Sequence, residues 1–204
     1  MKKICILGKT VFDYVVAFVG LLVILPLFIL TAIVIKVDSP GPVFFVQERV
    51  GRDGWVFRAI KFRTMHVGAH EKTKGRYIAK DEPLVTRVGR ILRRTGIDEL
   101  PQLINVLKGE MSLVGPRPTL KYQIEKYNEF QKKRLLTKPG ITGWALVNGR
   151  NKLTWGERIK YDVWYVENWS LWLDFKILLK TLWVVARGEG LYSERETDEI
   201  ARVE

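Results

Sequence analysis

Two adjacent carboxylates, Asp98 and Glu99, stand shortly before an arginine clamped between prolines, Pro116-Arg117-Pro118. An acid pair held rigidly near a rigid cation suits metal-assisted phosphoryl chemistry. The acids can hold a divalent ion or attack phosphorus, and the cation neutralises phosphate charge. Between them Leu100, Leu103, Ile104 and Leu107 recur at i, i+3, i+4 and i+7, which is one apolar helix face. Lys108 and Gly109 add a basic last turn and a stop. The spacing predicts the acids at the first turn of a short buried helix. Pro101 is tolerated there because first-turn N–H groups have no intrahelical partner. The same residues also start a helix well without any chemistry. Asp98 is a preferred N-cap, and Glu99 suits the N-terminal dipole. The local pattern leaves both readings open.

Further cations lie upstream. Residues 43–47 and 55–65 read as strands around Gly51-Arg52-Asp53-Gly54, a hairpin signal. Lys61 and Arg63, two apart on the second strand, share a face that either lines an anion site or is merely solvated. Residues 85–94 read as a short basic helix. Its Arg87, Arg90, Arg93 and Arg94 stack on one side and carry positive charge toward the Asp98 turn.

At 204 residues the chain has the size of one modest domain. Its net charge of +12 is unevenly placed: residues 38–94 hold 13 basic against 6 acidic side chains. Such a block attracts a polyanion, whether nucleic acid, anionic lipid or a nucleotide substrate. The single cysteine, Cys5, excludes an intrachain disulfide. With only His66 and His70 present, a Cys/His zinc site is not expected.

Residues 14–35 form an unbroken run of 22 uncharged, mostly apolar residues, long enough to cross a bilayer core of about 30 Å. Pro26 near its middle removes a backbone hydrogen bond and bends a helix. Both flanks are basic: Lys2, Lys3 and Lys9 before, Lys36 and the 38–94 block after. The positive-inside rule asks both flanks to stay in the cytoplasm. A re-entrant helix bent at Pro26 satisfies that demand, and a kinked spanning helix is the competing reading.

Residues 66–82 read as a long polar loop, and 120–136 as a charged amphipathic helix with Ile124, Tyr127 and Leu135 inward. Residues 141–151 are Gly- and Asn-rich, a structured loop able to approach a ligand closely. Residues 155–168 and 170–187 are helical. The second is so broadly apolar that it lies either at a membrane interface or in a core, and six of the seven tryptophans fall at or after Trp144. The expected fold is α+β, mostly helical. A re-entrant membrane helix (1–37) precedes a compact cytoplasmic catalytic domain (38–187), built of a β-hairpin and amphipathic interfacial helices. A flexible acidic tail (188–204) follows.

The motifs KFRTM (61–65), IDELPQLINVLKGEMSLVGPRP (97–118) and KPGITGWALVNGRN (138–151) follow the proline-broken apolar segment in that order. Together they closely resemble the bacterial sugar transferases known as monotopic phosphoglycosyl transferases, in particular small members with little beyond the catalytic core. The likeness runs from about residue 12 to about residue 185, and several long motifs in order are far more specific than one short motif. The resemblance implies transfer of a sugar-1-phosphate from a UDP-sugar to polyprenol phosphate, at the cytoplasmic face of the bacterial inner membrane, with release of UMP. It implies Asp98 as nucleophile and Glu99 as its essential neighbour, both with Mg²⁺. It implies Lys61, Arg93 and Arg117 as substrate-binding cations, and Asp162, within YDVWYVEN, as a further substrate-binding position. It suggests membrane lipid and a possible second copy of the chain as partners, and no nucleic acid. Two departures stand out. Leu25 precedes Pro26 where the family often has serine, and Leu146 replaces the usual glutamine of the GWAQVNGR motif. The competing functional classes are a non-enzymatic basic membrane protein binding nucleic acid or anionic lipid, and a phosphatase of lipid diphosphates using the same acid pair.

Overall fold

The N-terminal helix α1 (Lys2–Asp38) is a single 37-residue element running through Pro26. The structure, a computed structural model, describes residues 2–69, 82–188 and 190. Most of the expected 66–82 loop and of the acidic tail therefore lies outside the described residues. Asp13, Ala17, Leu21, Ile24, Phe28, Thr31 and Ile35 face inward at steps of three or four, one stripe along the whole helix. The opposite face is almost wholly apolar and uncovered, with Val11, Val15, Phe18, Leu22, Val23, Ile29, Leu30 and Ile33 all exposed.

Both ends of α1 are fastened to the same body. Near the start, Lys9 Nζ donates to Asp174 Oδ2 at 2.6 Å and to the Val114 carbonyl at 3.1 Å. Asp13 accepts from Ser112 Oγ at 2.7 Å. At the far end, Asp38 Oδ2 accepts from the Val88 nitrogen at 3.1 Å. Arg63 donates to the carbonyls of Ser39 and Pro40. Pro26 sits on the exposed face of this continuous helix.

Strands β1 (Phe44–Val50) and β2 (Val56–Phe62) form the expected antiparallel hairpin, in register from Phe44↔Phe62 to Val50↔Val56. The turn needs a left-handed residue, supplied by Asp53 at φ 55°. Arg63 falls just past β2, and its buried guanidinium is committed to the end of α1 rather than to the Lys61 face.

Helix α2 (Arg87–Thr95) starts on Thr86, whose side chain accepts from Gly89 N, and stops at Gly96 in the left-handed region. A 3₁₀ turn, Ile97–Glu99, carries the acid pair and leads into α3 (Gln102–Leu107). The inward face of α3 is Gln102, Leu103, Asn105 and Val106, while Leu107 is exposed, so the predicted apolar stripe is rotated. The reason is polar. The side chain of Asn105 accepts from Ile60 N and donates to the Arg58 carbonyl and to Glu110, stitching α3 onto β2.

Strand β3 (Ser112–Val114) pairs in parallel with β4 (Gly140–Thr142), Ser112 opposite Gly140 and Val114 opposite Thr142. Beyond β3 the Gly115-Pro116-Arg117 backbone runs so close to the second segment that a Cβ on Gly140 would collide with Gly115.

The single amphipathic helix expected over residues 120–136 is instead three short pieces: α4 (Lys121–Ile124), α5 (Glu129–Lys132) and a 3₁₀ turn, Lys133–Leu136. Asn128, in extended backbone, accepts from Gln131 N and starts a new helix there, which breaks the earlier one. Tyr127 is buried as expected, but so is Arg134, while Leu135 is only half-buried. Short α6 (Trp144–Val147) follows β4. Then come α7 (Trp155–Glu167), capped by Thr154, and α8 (Leu171–Arg187), capped by Ser170. Helix α8 has one buried face and one exposed apolar face. Leu173, Ile177 and Val184 are buried, while Trp172, Phe175, Leu179, Leu182 and Trp183 are exposed. The main core gathers Ala17 of α1 with Phe57, Leu103, Val106, Leu113, Val147, Tyr165 and Ile177, so every layer meets there.

Candidate active site

In the antiparallel register, odd-numbered residues of both strands share the inner face, and Lys61 points from it toward the 3₁₀ turn. Its Nζ lies 2.6 Å from Glu99 Oε1. Arg117, on the segment after β3, places Nη2 3.0 Å from the same oxygen. Three distant segments thus converge on one carboxylate atom. The Gln102 side chain holds the Glu99 carbonyl, and Asn105 holds α3 to the strand that carries Lys61. Burial by itself would raise the Glu99 carboxyl, but Arg117 and Lys61 outweigh it and hold it well below the usual range.

Asp98 contrasts with its neighbour. Among the described residues, no group donates a hydrogen bond to its carboxylate, and it caps no helix. Burial, then the adjacent Glu99 charge, push its pKa up to about 6, against the pull of Lys61, Arg93 and Arg117. The two acids are therefore driven apart: Glu99 is a fixed anion and Asp98 an under-stabilised one. Under-stabilisation has a measurable cost. The unfolded carboxyl titrates at 3.8 and the folded one at about 6. The stabilising contribution is thus complete at low pH and is lost as pH rises through 6. In metal-free protein, Asp98→Asn should gain melting temperature over the parent, and the gain should grow from about pH 5 to about pH 8. Paired thermal melts would show it, and a flat or shrinking difference would contradict the buried-anion reading.

The acids line a cleft of about 1130 Å³. Its walls carry seven cationic side chains against three carboxylates, so it suits a polyanionic ligand. Arg93 reaches it from α2, with Nε on Thr64 Oγ1 at 2.9 Å, whereas Arg87, Arg90 and Arg94 stay exposed outside. Arg49, Arg150 and Arg158 line the cleft without having been singled out from sequence. Arg49 had a legible signal: it shares the odd-numbered face with Lys61. Burial lowers its pKa to about 10, with Arg117 adding repulsion. Arg150 adopts φ 55°, an uncommon backbone for a residue with a side chain. The cleft lining also includes apolar side chains, among them Phe44, Phe62, Leu182 and Val185. Asp162 lines it too, 1% exposed, with its carboxylate bound by Arg134 at 2.5 Å.

Residues 4–188 match the family described as bacterial sugar transferase. The chain belongs to that family. EpsL of Bacillus subtilis, named an uncharacterised sugar transferase, is 45% identical over 90% of this chain and 89% of its own length. A Salmonella typhimurium protein named undecaprenyl-phosphate galactose phosphotransferase is 41% identical, over 90% of this chain and 41% of its own length. A Xanthomonas campestris protein named UDP-glucose:undecaprenyl-phosphate glucose-1-phosphate transferase is 42% identical, over 86% of this chain and 38% of its own length. The transferase thus spans nearly all of the first relative but about two-fifths of the other two. Its long helix with an uncovered apolar face makes it a membrane-associated transferase.

Among the described residues, no three His, Cys, Asp or Glu side chains gather to hold a metal. Among those residues the transferase offers the Asp98–Glu99 pair. Mg²⁺ is commonly held by one or two carboxylates, with substrate phosphates completing its shell. The pair fits that arrangement, because among the described residues the Asp98 carboxylate receives no hydrogen bond and Lys61 and Arg117 both donate to Oε1 of Glu99. Bound there, Mg²⁺ would neutralise diphosphate charge.

Proposed function

We propose that the transferase moves a sugar-1-phosphate from a UDP-sugar to polyprenol phosphate, through a covalent phosphosugar on Asp98. The observation that carries this reading is the free, destabilised Asp98 carboxylate beside a Glu99 pinned by two cations. A carboxylate is already ionised once pH exceeds its pKa, so it attacks phosphorus without a general base. The obstacle is repulsion between anions. Lys61, Arg93 and Arg117 face the acid pair and offset it, and their charge favours a transition state with spread negative charge.

In the first step an Asp98 oxygen bonds to the phosphorus bearing the sugar. The bridging oxygen leaves with its electron pair, as UMP. In the second step a phosphate oxygen of the polyprenol carrier attacks the same phosphorus, and the bond to Asp98 breaks. The carboxylate is restored, and the lipid carries a diphosphosugar. No proton is consumed across the two displacements. The apolar cleft wall suits the carrier: Phe62 packs on Phe28 of α1 with ring centroids 4.9 Å apart, so the lipid-facing helix adjoins the site. Purified protein given UDP-sugars and Mg²⁺ should release UMP in sustained turnover only when polyprenol phosphate is present. Sustained release of phosphate or sugar without that acceptor would instead favour hydrolysis.

The same reading places the enzyme on the cytoplasmic face of the bacterial inner membrane, with both ends of α1 on that side. Basic flanks and the fastening of both helix ends to one body support it. The test replaces Cys5 and introduces single cysteines at Lys3 or Pro40. Neither site should react with an impermeant thiol reagent in spheroplasts, and both should react after lysis. Labelling of position 3 alone from outside would show a spanning helix.

A further inference from the structure

Arg134 is 2% exposed, and its guanidinium makes three directed contacts. Nη1 donates to the Tyr127 hydroxyl at 2.6 Å, and Nη2 donates to Asp162 Oδ2 at 2.5 Å. Nη2 also donates to the main-chain carbonyl of Arg117 at 2.9 Å. The third contact ends on the backbone of the residue whose side chain clamps Glu99. The planar group lies 5.8 Å from the Tyr127 ring centroid and 5.4 Å from that of Trp155, so its plane is set as well. The Tyr127 hydroxyl is 3.1 Å from Thr119 Oγ1, and Thr119 pairs with Val50 of the hairpin, so residues 117 and 119 are held together.

A buried ion pair is a weak source of stability, because desolvation offsets most of its attraction. Its consequence here is geometric. The Arg117 side chain is 44% exposed, and its guanidinium donates to Glu99 Oε1. Where its guanidinium points depends on where its backbone is fixed.

We propose that Arg134 is a positioning residue for the transfer reaction, held in turn by Asp162 and Tyr127. It fixes the Arg117 backbone so that the Arg117 guanidinium meets Glu99 and the incoming diphosphate. Asp162 acts through Arg134 rather than on substrate. The assignment rests on Arg117 serving as a transition-state cation, as proposed above. A lysine cannot replace the fork: one ammonium cannot reach Tyr127, Asp162 and the Arg117 carbonyl with the same geometry.

The test is a double-mutant cycle. Arg134→Lys keeps the buried charge opposite Asp162 but loses the fork. In the native background it should lower kcat/KM for the UDP-sugar by about tenfold to a hundredfold, the usual cost of misplacing a catalytic group. In an Arg117→Ala background it should change kcat/KM less than about threefold, because the residue it serves is gone. Equal losses in both backgrounds would show a general structural role and overturn the proposal. If Arg134→Lys does not fold, Tyr127→Phe runs the same cycle, with a smaller native-background loss and the same criterion. A crystal structure of either folded variant gives a readout that needs no substrate. The Arg117–Glu99 contact should open beyond 4 Å, and a contact unchanged at 3.0 Å would overturn the proposal even if the donor assignment itself proved wrong.

Discussion

Replacing Asp98 by asparagine is expected to remove turnover, by more than about 10³-fold, while the protein keeps its fold. The amide matches the carboxylate in size but cannot attack phosphorus. Nothing structural is lost, because Asp98 receives no hydrogen bond among the described residues and caps no helix. Thr86 caps α2, and the acid-bearing turn opens at Gly96. A capping role would have shown the reverse pattern, since asparagine caps about as well as aspartate and activity would survive. Turnover assays with thermal melts on the same samples would decide. A folded Asp98→Asn protein retaining a tenth of parental turnover would move the nucleophile elsewhere.

Lys61→Ala and Arg117→Ala should each lower turnover by about 10²–10³-fold, the usual cost of one preorganised donor at a site of developing charge. The two cations meet the same Glu99 oxygen, at 2.6 and 3.0 Å. Their losses should therefore combine less than additively, because either truncation already frees the Glu99 carboxylate to move. Circular dichroism should show little change, since neither side chain belongs to the apolar core. Near-normal turnover in both variants would leave them as solvated charges and remove the electrostatic argument.

The site was legible where local pattern and order of motifs agreed. The acid pair, Pro116-Arg117-Pro118 and Lys61 lie far apart in sequence, and the structure brings them onto one atom of Glu99. The hairpin was legible because Gly51-Arg52-Asp53-Gly54 marks its turn between two strand-like runs. Arg49 could have been found the same way, from its parity with Lys61. Arg134 could not. A charged residue within a predicted amphipathic helix reads as solvent-facing, and only the break at Asn128 and the presence of Asp162 turn it inward. The stripe on α3 was misplaced for a related reason. Asn105 is buried by backbone groups of β2 that no helical periodicity can anticipate.

Helix α1 illustrates what hydropathy leaves open. A run of apolar residues does not say which side faces protein. The inward stripe is marked by its few polar members, Lys9, Asp13 and Thr31, together with small Ala17 and Gly20. In an otherwise apolar helix Lys9 and Asp13 need partners, and those partners lie in β3 and α8. The side-chain pairing fastens the helix along the body.

The covalent step is the core of this account, and intact-protein mass spectrometry reaches it directly. Parental protein incubated with a UDP-sugar and Mg²⁺, without polyprenol phosphate, should gain the mass of one sugar phosphate and release one equivalent of UMP. Fragmentation should map the added mass to Asp98, and later addition of polyprenol phosphate should remove it. An adduct mapped to Glu99, or steady turnover with no adduct when the acceptor is withheld and then supplied, would contradict it.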